Sequence, residues 1–134
     1  MKGAQPRAID PAERQNIASQ MSGNVNAEAI RAQLEVTSGI ARLLLAEHLL
    51  YRQEAEDNRR RRDKFRALGA DEWVVNDSAR VLRESQKRIS DVDRRLGKAV
   101  VELRDLVVHA KMNPELQEDE GLMKAEEALE EVSV

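Results

Sequence analysis

The sequence predicts an all-α fold, a long antiparallel helical hairpin of coiled-coil type flanked by a short N-terminal helix and an acidic C-terminal helix. Three observations carry this expectation. Two long stretches keep a heptad rhythm, a short glycine-containing turn separates them, and the composition suits helix-on-helix packing. Of 134 residues, 41% are hydrophobic and 35% charged, yet Tyr51, Phe65 and Trp73 are the only aromatics. A core built from Leu, Val, Ile and Ala with abundant charge outside it fits long surface helices.

The elements follow in chain order. Residues 1–9 are short, polar and terminal, and are expected to be disordered. Asp10-Pro11 with Glu13 combines a capping side chain, a proline at the first helical position and an acid three residues after the cap, which predicts a helix start. Ser22-Gly23-Asn24 predicts its stop, so residues 1–24 form an N-terminal segment with one short helix. Asn24 or Asn26 then caps a long helix, roughly 40 residues and about 60 Å, that continues to Leu68. Its seam reads Ile30, Leu34, Thr37, Ala41, Leu44, His48, Tyr51, Ala55, Asn58, Arg62 and Phe65, at intervals of three and four. Thr37-Ser38-Gly39 is its weak point. At Gly39, and at Gly97 in the following helix, the sequence leaves open whether the helix continues.

Gly69 closes that first helix, and Asp71 or Asp77 caps the second. The second seam is Val75, Ser78, Leu82, Ser85, Ile89, Val92, Leu96, Ala99, Leu103, Leu106 and Ala110, on the same rhythm. Pro114 disfavours helical geometry at Asn113, so this helix ends near Met112 and the hairpin module spans residues 25–112. With the turn near residue 70, positions whose numbers sum to about 140 face each other. In residues 113–134, Asn113 is expected to cap a last helix from Pro114, with Leu116, Leu122, Ala125, Leu129 and Val132 as a narrow apolar stripe.

The net charge of −3 conceals a division. Residues 52–66 hold seven Lys/Arg against four Asp/Glu, and residues 80–98 seven against three, giving +3 and +4. Residues 115–131 hold eight acids against Lys124, giving −7. A basic arm and an acidic tail share one chain.

Away from the turn the two arms carry more aliphatic residues than one seam can bury. Leu43, Leu45, Leu49, Val100, Val101, Val107 and Val108 are the surplus, and each large aliphatic side chain left in water forgoes roughly 1.5–3 kcal/mol. Either the flanking helices cover them, or they form the interface of a homo-oligomer at the base of the hairpin. The second alternative is the expectation here. The acidic tail, through Leu116, Leu122, Leu129 and Val132, is expected to dock on the basic arm or to bind a protein partner. Trp73 is expected to pack with Phe65, Leu68 and Val74 at the tip.

Several kinds of chemistry are excluded or left without residues. There is no cysteine, hence no disulfide, thiolate metal site or cysteine nucleophile. The two histidines, His48 and His109, sit several helical turns apart by the facing rule and lack the Glu-x-x-His spacing of di-iron bundles. His48 is expected at the seam and His109 at the surface. No phosphate-binding glycine loop or serine-histidine-acid arrangement occurs. No catalytic residue, metal ligand or cofactor is expected. A signal peptide and a membrane-length apolar run are missing too, which leads to the expectation of a cytoplasmic protein with no membrane partner.

Arg59, Arg60, Arg61 and Arg62, with Arg80, Arg83, Lys87 and Arg88 on the facing helix, are the candidate nucleic-acid contacts if the charge of several subunits accumulates. Intrahelical pairs with Glu54, Glu56, Asp57 and Asp63 are the alternative fate of that charge. Over residues 27–132 the architecture of a charged hairpin with an apolar base and a short tail resembles the central module of the small terminase subunits of tailed phages. That resemblance implies rings that engage DNA and a C-terminal segment that meets the large terminase.

The sequence therefore leads first to a non-catalytic helical oligomerisation or adaptor protein with a partner-binding tail. A DNA-packaging assembly factor is the alternative. A small export or assembly chaperone, whose excess apolar surface masks a client, is the third reading.

Overall fold

Helix α1, Pro11–Ala67, and helix α2, Glu72–Lys111, pair as an antiparallel hairpin. A 3₁₀ turn at Pro114–Leu116 leads into helix α3, Glu120–Val132. The computed structural model describes the backbone of residues 10–133 and the side chains of residues 10–15 and 26–133. The expectation for residues 1–9 lies outside the described residues. The fold is all-α, and every seam position named above is buried or half-buried in both helices. The facing rule holds closely. Contacts join His48 to Asp93, Glu54 to Arg88 and Asn58 to Ser85, pairs whose numbers sum to 141, 142 and 143.

The turn forms for a local reason. Gly69 adopts φ 67°, where a Cβ is strained. Its N–H donates to Arg66 O at 3.2 Å and the N–H of Ala70 to Phe65 O at 3.0 Å. This pair of bonds is a Schellman cap, which satisfies the last carbonyls of α1 and reverses the chain. Asp71 then stands at the start of α2 without a side-chain capping bond.

The interruption expected at Ser22-Gly23-Asn24 does not occur. The short N-terminal helix is not a separate element, because α1 runs unbroken from Pro11 for 57 residues, about 85 Å, through Ser22-Gly23-Asn24. It passes Gly39 as well, and α2 passes Gly97. A helical glycine costs roughly 1 kcal/mol against alanine, which a long helix packed along its length can absorb. Only where Gly69 takes the left-handed conformation does the chain stop.

The C-terminal helix also starts later than expected. Asn113 caps only the 3₁₀ turn, its Oδ1 accepting from Glu115 N at 3.0 Å. Asp119 caps α3, accepting from Leu122 N at 3.3 Å.

Burial is concentrated at the open end of the hairpin. Leu34 from α1, Leu103 from α2 and Leu116 from the 3₁₀ turn are fully buried there, with Leu122, Ala125, Ala128 and Val132 of α3 closing a single core. The other half of the hairpin is a two-helix arm whose seam mixes buried Ala55, Leu82 and Val92 with polar contacts, Asn58 Nδ2 donating to Ser85 Oγ at 2.6 Å. The molecule is a three-helix base carrying a two-helix arm.

Candidate partner-binding surface

Helix α3 decides which apolar side chains remain exposed. It lies along α1 and α2 at the base, fixed by Arg31–Asp119 at 2.7 Å, Arg42–Glu131 at 2.8 Å and Lys111–Glu126 at 3.5 Å. Because its first residues meet Arg31 and its last meet Arg42, α3 runs parallel to α1 and antiparallel to α2. Its apolar stripe is spent on this contact. Leu116, Leu122 and Val132 are buried and Leu129 packs against the core. The expected partner-binding tail is thus corrected. Those four side chains engage the chain's own hairpin, and they do so at its base, in the core that holds Leu34, Leu103 and Val107.

Asp119 is the hinge of this docking. Burial raises the affinity of its carboxyl for a proton. The hydrogen bond and charge of Arg31, with the N–H groups of Leu122 and Gly121, outweigh burial and hold the group below the usual carboxylate value. A depressed value stabilises the fold above the carboxyl's unfolded-state pKa and is lost as pH falls through the folded-state value, so the sensitive window lies below about pH 4. Asp119→Ala is expected to cost about 1 kcal/mol at neutral pH. In urea titrations at pH 7 and pH 3, the gap between the two proteins should narrow in acid. A gap that stays constant would mean that the carboxylate charge contributes nothing.

The seven surplus aliphatics separate into three groups. Val107 belongs to the core, and Leu45 and Val100 pack against it. Leu43, Leu49, Val101 and Val108 remain exposed, but on different sides. Val101 and Val108 are each two residues from a buried neighbour, Leu103 or Ala110. Two positions are about 200° apart on a helix, so both point outward from α2. Leu49 lines a shallow groove with Arg52, Gln53 and Ile89, past the end of α3. Leu43 lies about 120° round α1 from Leu49. The seven residues therefore do not form one surface within the chain, because Val107, Leu45 and Val100 belong to or pack against its own core.

Leu43 does have neighbours of its own kind. Val36, Ile40, Leu43 and Leu50 are exposed by 60, 48, 61 and 56% and follow one another at helical spacing along one side of α1. Their companions two residues on include Ser38, Arg42 and Leu45, which face α3 or the core. The stripe thus lies on the side of the hairpin turned away from α3. Four large aliphatic side chains in a row, held on a rigid helix, make a surface suited to another protein.

The basic residues do not converge. Arg59 and Arg60 reach Glu56, Arg62 meets Asp63, and Arg88 meets Glu54. Arg80 contacts both Asp77 and Glu84 at 2.8 Å; the hydrogen bond it donates to Asp77, then the charges of Glu84 and Asp77, hold its guanidinium above its ordinary value. Arg61, Arg83 and Lys87 make no ion pair among the described residues; Arg83 and Lys87, four residues apart, share one side of α2, while Arg61 stands on α1 at the tip cleft. Pairing with nearby carboxylates, within a helix for Arg59, Arg60, Arg62 and Arg80 and across the hairpin for Arg88, takes up five of these eight charges.

His48 is half-buried at the seam with Nδ1 2.6 Å from Asp93 Oδ1, while His109 is exposed. Among the described residues, no group of three or more His, Asp or Glu side chains converges to hold a metal, and no helix is long and apolar enough to cross a membrane.

Comparison with known proteins identifies this arrangement. Residues 29–129, which include most of the hairpin and nearly all of α3, match the family described as tubulin binding cofactor A. The tubulin-specific chaperone A of Gallus gallus is 30% identical over 102 residues, covering 76% of this chain and 92% of that protein. Those of Mus musculus and Homo sapiens are 28% identical over the same shares. A solved structure, human tubulin chaperone cofactor a, superposes with a TM-score of 0.68 at 28% identity, covering 78% of this chain and 99% of that one. The resemblance to small terminase subunits is thereby reduced to a shared hairpin architecture, and DNA packaging finds no support. The chain is a non-catalytic helical chaperone or adaptor that works by binding protein, and it belongs to the tubulin binding cofactor A family.

Proposed function

We propose that this chain is a chaperone for a tubulin-type polypeptide, which it holds against the side of the hairpin turned away from α3. The observation that carries the reading is the uncovered stripe of Val36, Ile40, Leu43 and Leu50 on a base that α3 makes rigid. The relatives' names supply the class of client. An apolar surface of this kind shields complementary apolar surface on a client without any chemical step. Its side chains stand on a preformed helix, so little ordering entropy opposes the contact. The cytoplasmic location expected from the sequence forms part of this proposal. The third reading of the sequence, a chaperone with excess apolar surface, is the one favoured, although the surface lies on α1 and not around the whole base.

The test is co-elution of the purified full-length chain with isolated tubulin subunits. Replacing Ile40 and Leu43 together by Gln is expected to weaken the complex on the order of tenfold to a hundredfold, since each side chain contributes of the order of 1 kcal/mol or more on burial. Thermal unfolding should move by only a few degrees, because Ile40 is already about half exposed and Leu43 more than half. Undiminished binding by the double variant would move the site elsewhere, and no binding by the parent chain would remove the reading.

A further inference from the structure

The tip of the hairpin carries exposed apolar surface that the α1 stripe does not include. Trp73 is 72% exposed and Leu68 70% exposed, so the expected closed aromatic cluster does not form. Instead Trp73, Phe65 and Val74 border a cleft of about 220 Å³ between the two helices, with Arg61 and Asp77 at its edge. This is smaller than a typical small-molecule site of roughly 300–1,000 Å³ and is suited to one inserted side chain.

The ion pairs around the cleft leave two cations over. Glu56 takes up Arg59 and Arg60. Asp77 is neutralised by Arg80 at 2.8 Å, and Asp63 by Arg62 at 2.9 Å. Arg61 and Lys64 make no ion pair among the described residues. Positions 61, 64, 65 and 68 are three or four apart in turn, so these two free cations share one side of α1 with Phe65 and Leu68. Exposed tryptophan beside unpaired arginine is the composition of an interface anchor.

We infer that the hairpin tip is a second docking site, for an acidic polypeptide segment that inserts one large apolar side chain between Phe65 and Trp73 and sets carboxylates against Arg61 and Lys64. Charge complementarity selects the occupant. An apolar partner alone would leave both cations without counter-charges, and a purely acidic one would leave the cleft and Trp73 in water. The site stands independently of the stripe, since Phe65 lies fifteen residues beyond Leu50, about 22 Å along the same helix.

Trp73 is the only tryptophan, so its fluorescence reports this site directly. The full-length chain is titrated with an eight-residue peptide of seven glutamates around one leucine, which contributes no signal of its own. A saturable change in Trp73 emission is expected, weakening as salt rises. Arg61→Gln with Lys64→Gln should weaken it on the order of tenfold without altering the melting curve, and a peptide of glutamates alone should bind several-fold less well. The Ile40→Gln, Leu43→Gln variant should respond as the parent does, which separates failure of this site from failure of the chaperone surface. The inference is overturned by no saturable response at millimolar peptide, or by an equal response to the same peptide with lysines for glutamates. Undiminished binding by the Arg61→Gln, Lys64→Gln variant would also overturn it. So would a short DNA duplex that displaces the peptide at lower concentration, since the site would then belong to nucleic acid.

Discussion

Ending the chain at Asn113 is expected to unfold the base of the hairpin, not merely to remove an accessory tail. The shortened protein would lose Leu116, Leu122 and Val132, exposed by 0, 3 and 5% in the full chain. At roughly 1.5–3 kcal/mol for each, their burial contributes about 5–9 kcal/mol, an upper estimate because the unfolded chain already buries some of this surface. A small domain has only about 5–15 kcal/mol in total. The three ion pairs to α3 are exposed or partly exposed and add little. The loss would also open Leu34, Leu103 and Val107 to water. Helicity by circular dichroism should fall by more than the share of α3 itself, the melting transition should broaden and move down, and light scattering should show association of the exposed base. A shortened chain that melts within a degree or two of the parent would mean that α3 is held out from the hairpin in solution.

Leu103→Ala is expected to be the most damaging single substitution of an ordinary kind, costing about 2–5 kcal/mol. Leu103 is fully buried where α2 contributes to the three-helix core. Helices on several sides limit how far the surroundings can collapse into the void. In a domain of this size such a loss lowers the melting temperature by on the order of 10 °C. Leu68→Ala removes the same atoms from a residue 70% exposed and should change stability by less than about 0.5 kcal/mol. Urea unfolding of the two variants measures the contrast. Equal losses would contradict the placement of the core at the base.

These two expectations rest on different kinds of information. The seam that contains Leu103 is legible as a repeat of three and four, and it is buried or half-buried at every position from Ile30 to Phe65 and from Val75 to Ala110. A helix turns by a fixed angle per residue, so spacing alone records which side meets a partner. The turn at Gly69 and the pairing near a sum of 140 are equally local, and His48 beside Asp93 follows from them.

The role of α3 is not local. Leu45, Val100 and Val107 needed a cover, and the sequence offered another subunit or a flanking helix with no difference in pattern between them. Hydrophobic burial is non-directional, so any apolar surface of the right size satisfies it. The close fit of Asp119 to Arg31, and the room for α3 between the arms, appear only when all three helices are in place. Likewise a glycine stops a helix only where the chain beyond it has something to gain by turning, which separates Gly69 from Gly39 and Gly97.

The sequence by itself determined the helices, their amphipathic sides, the hairpin and the uneven charge along it, because each depends on neighbours within a few residues or on one reversal of the chain. Only the tertiary structure decided which aliphatic residues are core and which remain as surface. Val36, Ile40, Leu43 and Leu50 are a candidate partner surface because α3 occupies the other side, and no periodicity within α1 can distinguish the side a third helix will take.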